Sequence, residues 1–360
     1  MTLENRRSEG ARGRGARTNA TGRFEARQRE AFDDGWGDDD NAPKQLTTAV
    51  MAENARTIIA KNDSPDIGFD RSINPYRGCE HGCIYCYARP THAYLGLSPG
   101  LDFESKLFFK PQAEALLARE LSKPGYQVQP IHIGGNTDVY QPQERLLGVT
   151  RRILQTMRTF NHPLSIITKS ALIVRDVDIL GPMGKANLAL ASISITTLDR
   201  KLARSMEPRA ATPEKRFEAV SRLTEAGCPT SVNFAPVIPG LNDHELETVL
   251  ERAKAAGAVG AHYTVLRLPL EIKDLFKEWL DSDHPDRARR VMSLVRQMRG
   301  GKDYDAQWGQ RMKGTGPLAD LIRNRFVLAR KKLGFADKRE PLDCSQFRVP
   351  PRPGDQLKLF

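Results

Sequence analysis

From Gln129 to Leu268, short apolar runs alternate with long amphipathic ones, and few folds tolerate that alternation. The apolar runs are QPIHIGG (129–135), LSIITK (164–169), LASISIT (190–196), TSVNFAPV (230–237) and AHYTVLRL (261–268). Between them PQERLLGVTRRILQTMRTF, SALIVRDVDILGPMG, PEKRFEAVSRLTEAG and DHELETVLERAKAAG carry helical periodicity. A strand followed by a helix long enough to cross back predicts right-handed βαβ units and a parallel sheet buried on both faces. Such units form a doubly wound sheet or a barrel, complete or partial, and periodicity leaves these open. Either way, functional residues should gather where the strands end. Thr212 before Pro213 predicts a helix N-cap and Gly227 a helix stop, while Asn242 or Asp243 is expected to cap the next helix. KLFFK (106–110) reads as an accessory strand, LTTAVMAENARTIIAKN (46–62) as an extended lead-in, and Pro269 to Phe335 as amphipathic helices.

At 360 residues the chain can bury a large core. No apolar run reaches the roughly 18 to 20 residues that span a bilayer, so no membrane role is expected. Five cysteines, an odd number with three clustered, argue for a reducing compartment, and the expected location is cytoplasmic. The net charge of +11 is uneven. Residues 1–30 hold eight Arg against four Glu, and Asp33, Asp34, Asp38, Asp39 and Asp40 follow. The stretch 1–45 therefore reads as a disordered Arg/Gly/Asp-rich tail, dispensable for chemistry. Residues 46–270 form the expected catalytic domain, 271–335 a basic helical extension and 336–360 an irregular Pro-rich tail. The basic residues from Arg287 through Lys332 can attract nucleic acid, or simply form a solvated helix face.

The stretch RGCEHGCIYCYARP, Arg77 to Pro90, spaces Cys79, Cys83 and Cys86 as C-x3-C-x2-C. Gly78 and Gly82 would let the backbone curl so that the thiolates converge. Structural zinc wants four ligands, usually in paired knuckles, and no second knuckle exists. His81 or His92 could supply a nitrogen, which keeps zinc as an alternative. A redox dithiol would leave Cys79 unexplained. Three thiolates fit a [4Fe–4S] cluster with one iron left for chemistry. Glu80, His81, Arg77 and Arg89 either tune that loop's field or keep it soluble.

With Tyr85 as its aromatic, the motif C-x3-C-x-aromatic-C resembles the signature of the radical SAM enzymes. That resemblance implies a partial (β/α)6 parallel barrel and a cluster whose open iron chelates S-adenosylmethionine (SAM). It further implies reductive cleavage to a 5′-deoxyadenosyl radical that takes hydrogen from substrate, fed by a one-electron reductase such as flavodoxin or ferredoxin. The family's Gly-rich motif falls on Gly134, Gly135, Asn136, Thr137 and Asp138, with Asn136 where Glu is usual. Lys169 is placed to meet the SAM carboxylate. Ser194 and Thr196 resemble the fourth-strand hydroxyls, and Arg209 could pair with carboxylate. PVIPGLND, around Ile238, resembles the fifth-strand motif that packs against adenine, and backbone near Leu266 would complete that pocket.

The strings INPYRGCEHGCIYCYARPTH, TDVYQPQE and SMEPRAATPEKRFEAV resemble the branch containing spore photoproduct lyase and bacterial DNA repair photolyase-like proteins. Spore photoproduct lyase returns hydrogen through a protein cysteine, and neither Cys228 nor Cys344 is an evident counterpart. Tyr140 and Tyr263 read as packing or polar residues, with a redox-active phenol as the other reading. The substrate is left open, nucleic acid being one candidate. The alternative function is a non-enzymatic iron–sulfur protein for electron transfer or sensing on nucleic acid.

Overall fold

The computed structural model describes residues 13–25, 46–336 and 340–351. Ten strands occur among them: β1 Ala49–Ala52, β2 Ile59–Lys61, β3 Arg71–Ile73, β4 Tyr76–Arg77, β5 Lys106–Phe109, β6 Ile131–Ile133, β7 Leu164–Thr168, β8 Ala189–Ser194, β9 Thr230–Val237 and β10 Gly260–Val265. The main sheet runs β10-β9-β8-β7-β6-β3-β2. Its members from β3 to β10 pair in parallel, and β2 adds an antiparallel edge. This is the open, partial (β/α)6 barrel. A small second sheet, β1-β5-β4, carries the accessory strand.

Register explains the core. Ile73 pairs with Ile133, Ile133 with Ile166, Ile166 with Ala191, and Ala191 with Thr230. All five are fully buried, forming one layer on the face opposite to His132, Ile167 and Ser194, which line the cavity. Helices cover the outer faces, as Val220 and Leu223 of Pro213–Glu225 show by packing into the same core. Removing one such side chain costs about 2–5 kcal/mol, because the neighbours cannot close the cavity. In β9, Pro236 has no N–H for the ladder. The pairing passes from Tyr263–Phe234 to Val265–Val237, leaving one extra residue in β9 there.

Strand β3 was not legible as part of the barrel: three residues give no alternation to read. Arg200–Met206 is a further helix, capped by Asp199, whose side chain accepts from the Lys201 and Leu202 amides. Thr212 caps its helix as expected. Asn242 and Asp243 do not cap the next one. Asn242 accepts from the Ile238 amide at 2.6 Å and donates to the Thr196 and Pro236 carbonyls, while Asp243 accepts from the Gly240 amide. Both therefore brace the loop behind them, where buried backbone groups need partners.

Two boundary expectations change. Residues 1–12 and 26–45 of the expected tail lie outside the described residues, but 13–25 are folded onto the body: Arg14, Gly15 and Ala16 are buried. The Gly15 and Ala16 amides donate to Glu104, a partner that composition does not announce. At the other end, residues 340–351 form no helix or strand. They lie across the N-terminal ends of the strands, Phe347 packing against Tyr126, Phe160 and His162. Residues 352–360 lie outside the described residues. Among those described, no helix is long and apolar enough to cross a membrane.

Candidate functional site

The segment after β4 is an irregular loop held from several sides. Gly78 and Gly82 take positive φ, 75° and 66°, which a side chain would strain. A Cβ on Gly78 would also lie 2.8 Å from the Phe103 carbonyl, and one on Gly82 2.7 Å from the Glu104 carboxylate. The loop's backbone finds partners outside itself: the Cys79 amide donates to Phe103 O and the Ile84 amide to Met206 O. Arg89 is fully buried and donates to the Gly82 and Cys83 carbonyls while pairing with Glu104. It is thus a structural cation rather than a solubilising one. Gln141 bridges the Glu80 amide and the Gly78 carbonyl. Glu80, 2% exposed, pairs with Arg209 at 2.6 Å.

The sulfurs of Cys79, Cys83 and Cys86 open onto a cavity of about 600 Å³. Cys79, Cys83 and Cys86 are free thiols. Burial pushes the Cys79 and Cys83 thiols well above their ordinary range. Only a bound cationic centre would favour their thiolates. Among the described residues, no three His, Cys, Asp or Glu side chains converge closely enough for a single metal ion. The three cysteines line one wall of the cavity. His92, weighed as a zinc ligand, bonds instead to the Lys106 carbonyl.

The opposite wall is built from the strand ends. β6 runs into Gly134–Asp138, β7 into Lys169, and β8 ends at Ser194; all of these line the cavity. Gly134 has φ 89°, and a Cβ there would stand 2.9 Å from the Ile167 carbonyl. Asp138 accepts from Thr168 Oγ1 at 2.6 Å and the Lys169 amide at 2.8 Å, with His81 Nδ1 at 3.3 Å. Burial alone would raise this carboxyl, but His81 and those hydrogen bonds hold it well below its usual range. Asp138 is thereby a permanent anion tying the cysteine loop to β7. The Asn136 amide donates to Asn74, which leaves the side chain to the cavity.

Four expected contacts sit elsewhere. Thr196 is buried in a network with Tyr85 and Glu207. Arg209 is spent on Glu80. Ile238 and Leu266 are buried at 0% and 1% in the core, with the Leu266 carbonyl taken by Arg299. Ala235, Pro236, Thr264 and Val265 line the cavity in their place.

The mouth was not anticipated. Tyr87, following the last cysteine, donates its hydroxyl to Gly135 O, and the Arg267 guanidinium lies 5.2 Å over its ring. Arg267 has no carboxylate partner among the described residues, and its Nε is buried without a hydrogen bond. Lys169 likewise has no carboxylate partner among the described residues and lies 5.8 Å over the Tyr85 ring. Trp308 stands at the rim, 56% exposed. Two segments clasp there: Arg311 pairs with Asp66 at 2.5 Å, and the Gly309 amide donates to the same carboxylate at 2.7 Å. Tyr adjacent to a motif cysteine was the one available signal; Arg267, Trp308 and Arg311 sit in stretches without a motif.

Other residues are remote. Cys228 precedes β9, and Cys344 follows Asp343, whose amide bonds Asn187 before β8, so both lie at the far end of the strands. Tyr140 is buried and donates to Asp176; Tyr263 packs on Phe326. The helix Pro317–Lys332 ends beside Lys254, which bonds the Gly334 carbonyl, so Arg330, Lys331 and Lys332 also sit at the far end.

A family model of the radical SAM superfamily matches residues 73–253. An uncharacterised protein of Mycobacterium tuberculosis is 34% identical over 230 residues, 63% of this chain and 68% of its own. One from Methanocaldococcus jannaschii is 28% identical over 214 residues, 59% and 76%. Spore photoproduct lyase complexed with a dinucleoside spore photoproduct superposes with a TM-score of 0.58 at 13% identity, covering 79% of each chain. A variant of that lyase with bound AdoMet gives 0.57 at 13% identity, covering 79% of this chain and 78% of its own. At such identities the superpositions show a shared fold, whereas the family match takes in the cysteine loop and the strand ends facing it: this chain belongs to the radical SAM superfamily.

Proposed function

We propose that the chain is an enzyme in which Cys79, Cys83 and Cys86 hold a [4Fe–4S] cluster and the facing wall holds SAM. One observation carries this reading: all three thiols of one loop open onto the same cavity as Gly134–Asp138, Lys169 and Ser194. The donor set suits a cluster that keeps one iron free of protein ligands. When bound, the cluster and SAM together supply a carbon radical able to abstract hydrogen. The protein's part is binding, orientation and exclusion of water.

Lys169, a cation without a carboxylate partner among the described residues, is assigned to the SAM carboxylate. Asn136 and Ser194 supply polar contacts, and Gly134 and Gly135 let the ligand approach backbone. Ala235, Pro236 and Val265 form an apolar wall suited to adenine. Tyr87, Trp308 and Arg267 then face the substrate: two rings that can stack on a base and a guanidinium that can meet phosphate. These residues favour a nucleic-acid component over a purely aliphatic substrate, and the dinucleoside ligand of the similar lyase supports the same choice. The mouth carries that contact better than the basic end of Pro317–Lys332, which lies at the other end of the barrel. A flavodoxin or ferredoxin is the proposed electron donor. Hydrogen return through a protein cysteine is not proposed, since Cys228 and Cys344 are remote from the cavity.

The test is anaerobic reconstitution and reduction, followed by assay for 5′-deoxyadenosine and methionine. About four irons per chain and SAM turnover are expected. Bound iron with intact SAM would move the electron-transfer or sensor reading ahead, and zinc alone would remove the enzyme reading.

A further inference from the structure

Behind the cysteine loop, on the side away from the cavity, lies a segment remote from it in sequence. Gly13–Glu25 runs across the loop and is fastened along its length. The Gly15 and Ala16 amides donate to the two oxygens of Glu104 at 2.9 and 2.8 Å. Arg14 donates to the Glu104 carbonyl and to Thr48 Oγ1 at 2.6 and 2.8 Å, and Thr48 in turn donates to Glu80 within the loop. Asn19 exchanges hydrogen bonds with Asp102. At the surface, Arg17 pairs with Asp283 and Arg23 with Glu271.

Glu104 is the link. It is fully buried, takes the two amides from Gly13–Glu25 and pairs with the fully buried Arg89, which holds the Gly82 and Cys83 carbonyls at 3.0 and 2.9 Å. Without the two amides, the Glu104 carboxylate would keep one buried charged partner and lose two donors, a costly state in a low-dielectric site. Packing is equally tight: a Cβ on Gly15 would stand 1.8 Å from the Gly82 carbonyl oxygen. Only glycine fits at that position. A length of chain that precedes the superfamily match thus shapes and covers the loop that carries the cysteines.

We propose that Gly13–Glu25 is a strap that holds the cysteine loop in its cluster-binding shape, with Glu104 and Arg89 as positioning residues. This rests on the reading of Cys79, Cys83 and Cys86 as cluster ligands. Linkage makes the coupling reciprocal: if the docked strap favours the loaded loop, loading favours the docked strap.

The experiment uses the full chain, metal-free and reconstituted. Tryptic cleavage after Arg17 and Arg23 should slow on loading, and iron loss to a ferrous chelator should be about tenfold faster in Gly15→Val than in wild type. The reduced-cluster EPR signal of that variant should shift or broaden, which general destabilisation of the barrel would not produce. Should Gly15→Val fail to fold, the surface pairs give a second handle. Arg17→Asp should speed both iron loss and cleavage after Arg23, and adding Asp283→Arg should restore both. Equal cleavage of loaded and metal-free wild type, or iron loss unaffected in both variants, would overturn the strap while leaving the cluster reading intact. Wild type that takes up no iron would overturn both.

Discussion

Substituting Glu207 by Gln should damage the site without touching a cluster ligand. Glu207 is 2% exposed and its carboxylate accepts from Tyr85, Thr196 and Arg216. Arg216 is also 2% exposed, its remaining donors meeting the Ala211 and Ser194 carbonyls at 2.8 and 3.0 Å. Gln keeps the shape but removes the charge and turns one acceptor into a donor. Arg216 is then a buried cation without a counterion, and Tyr85 or Arg216 must face an N–H. Breaking a buried pair from one side costs about 3–5 kcal/mol. At roughly 2–4 °C per kcal/mol for chains of this order, Tm should fall by about 10 °C. Tyr85 lines the cavity beside Lys169, so SAM affinity should fall as well. Calorimetry and isothermal titration with SAM would measure the two effects. The control is Glu207→Gln with Arg216→Met, which leaves no unpaired charge, though it frees the Ala211 and Ser194 carbonyls, and should be less destabilised than the sum of the two single variants. A single variant within 2 °C of wild type, or a double variant as unstable as the sum of its parts, would refute the reasoning.

Replacing Cys79, Cys83 or Cys86 with Ala should abolish iron binding after reconstitution, whereas Cys228→Ala, remote from the cavity, should keep wild-type iron content by colorimetric assay. Lys169→Ala should weaken SAM binding by about tenfold, as loss of a charge-assisted contact of 1.5 kcal/mol or so implies, with iron content unchanged. His162 is fully buried, and desolvation outweighs its bond to the Pro163 carbonyl to bring its pKa down to about 4. The folded imidazole therefore stays neutral while the unfolded one protonates near 6.5. Stability from this group is full above that value and is lost as pH falls toward 4, by about 3 kcal/mol in total. Urea titrations between pH 7 and 4 should show a shallower slope for His162→Gln than for wild type, the remainder coming from other buried imidazoles such as His132, which desolvation also brings down to about 4.

The barrel was readable because its central strands place a buried apolar residue at every second position and its helices are long, so the periodicities separate cleanly. Strand β3 was not, being three residues between β2 and β6, too short to show a period. That Cys79, Cys83 and Cys86 face one cavity was legible for a different reason: three cysteines within eight residues, with glycines at the turns, are brought together locally. The cavity wall facing the cysteines was legible in part. Residues that end strands, such as Asn136 and Lys169, were found through their position, whereas Thr196, Arg209, Ile238 and Leu266 turned on partners the sequence does not display. Glu80 claims Arg209, Glu207 claims Thr196, and no spacing rule connects either pair. The strap and the mouth were hidden for the same reason, since Arg14 meets Glu104 and Asp66 meets Arg311 across long stretches of chain.

The clasp at the mouth joins Asp66, before the superfamily match, to Gly309 and Arg311, after it, and Arg267 and Trp308 lie outside that match as well. Apart from Tyr87, the residues proposed to decide what reaches the radical therefore belong to different stretches of polypeptide from those proposed to generate it. A lineage can then exchange the rim for another while the reactive interior stays as it is. Relatives that share the interior need not share a substrate, and transferring the rim between two of them should carry selectivity with it.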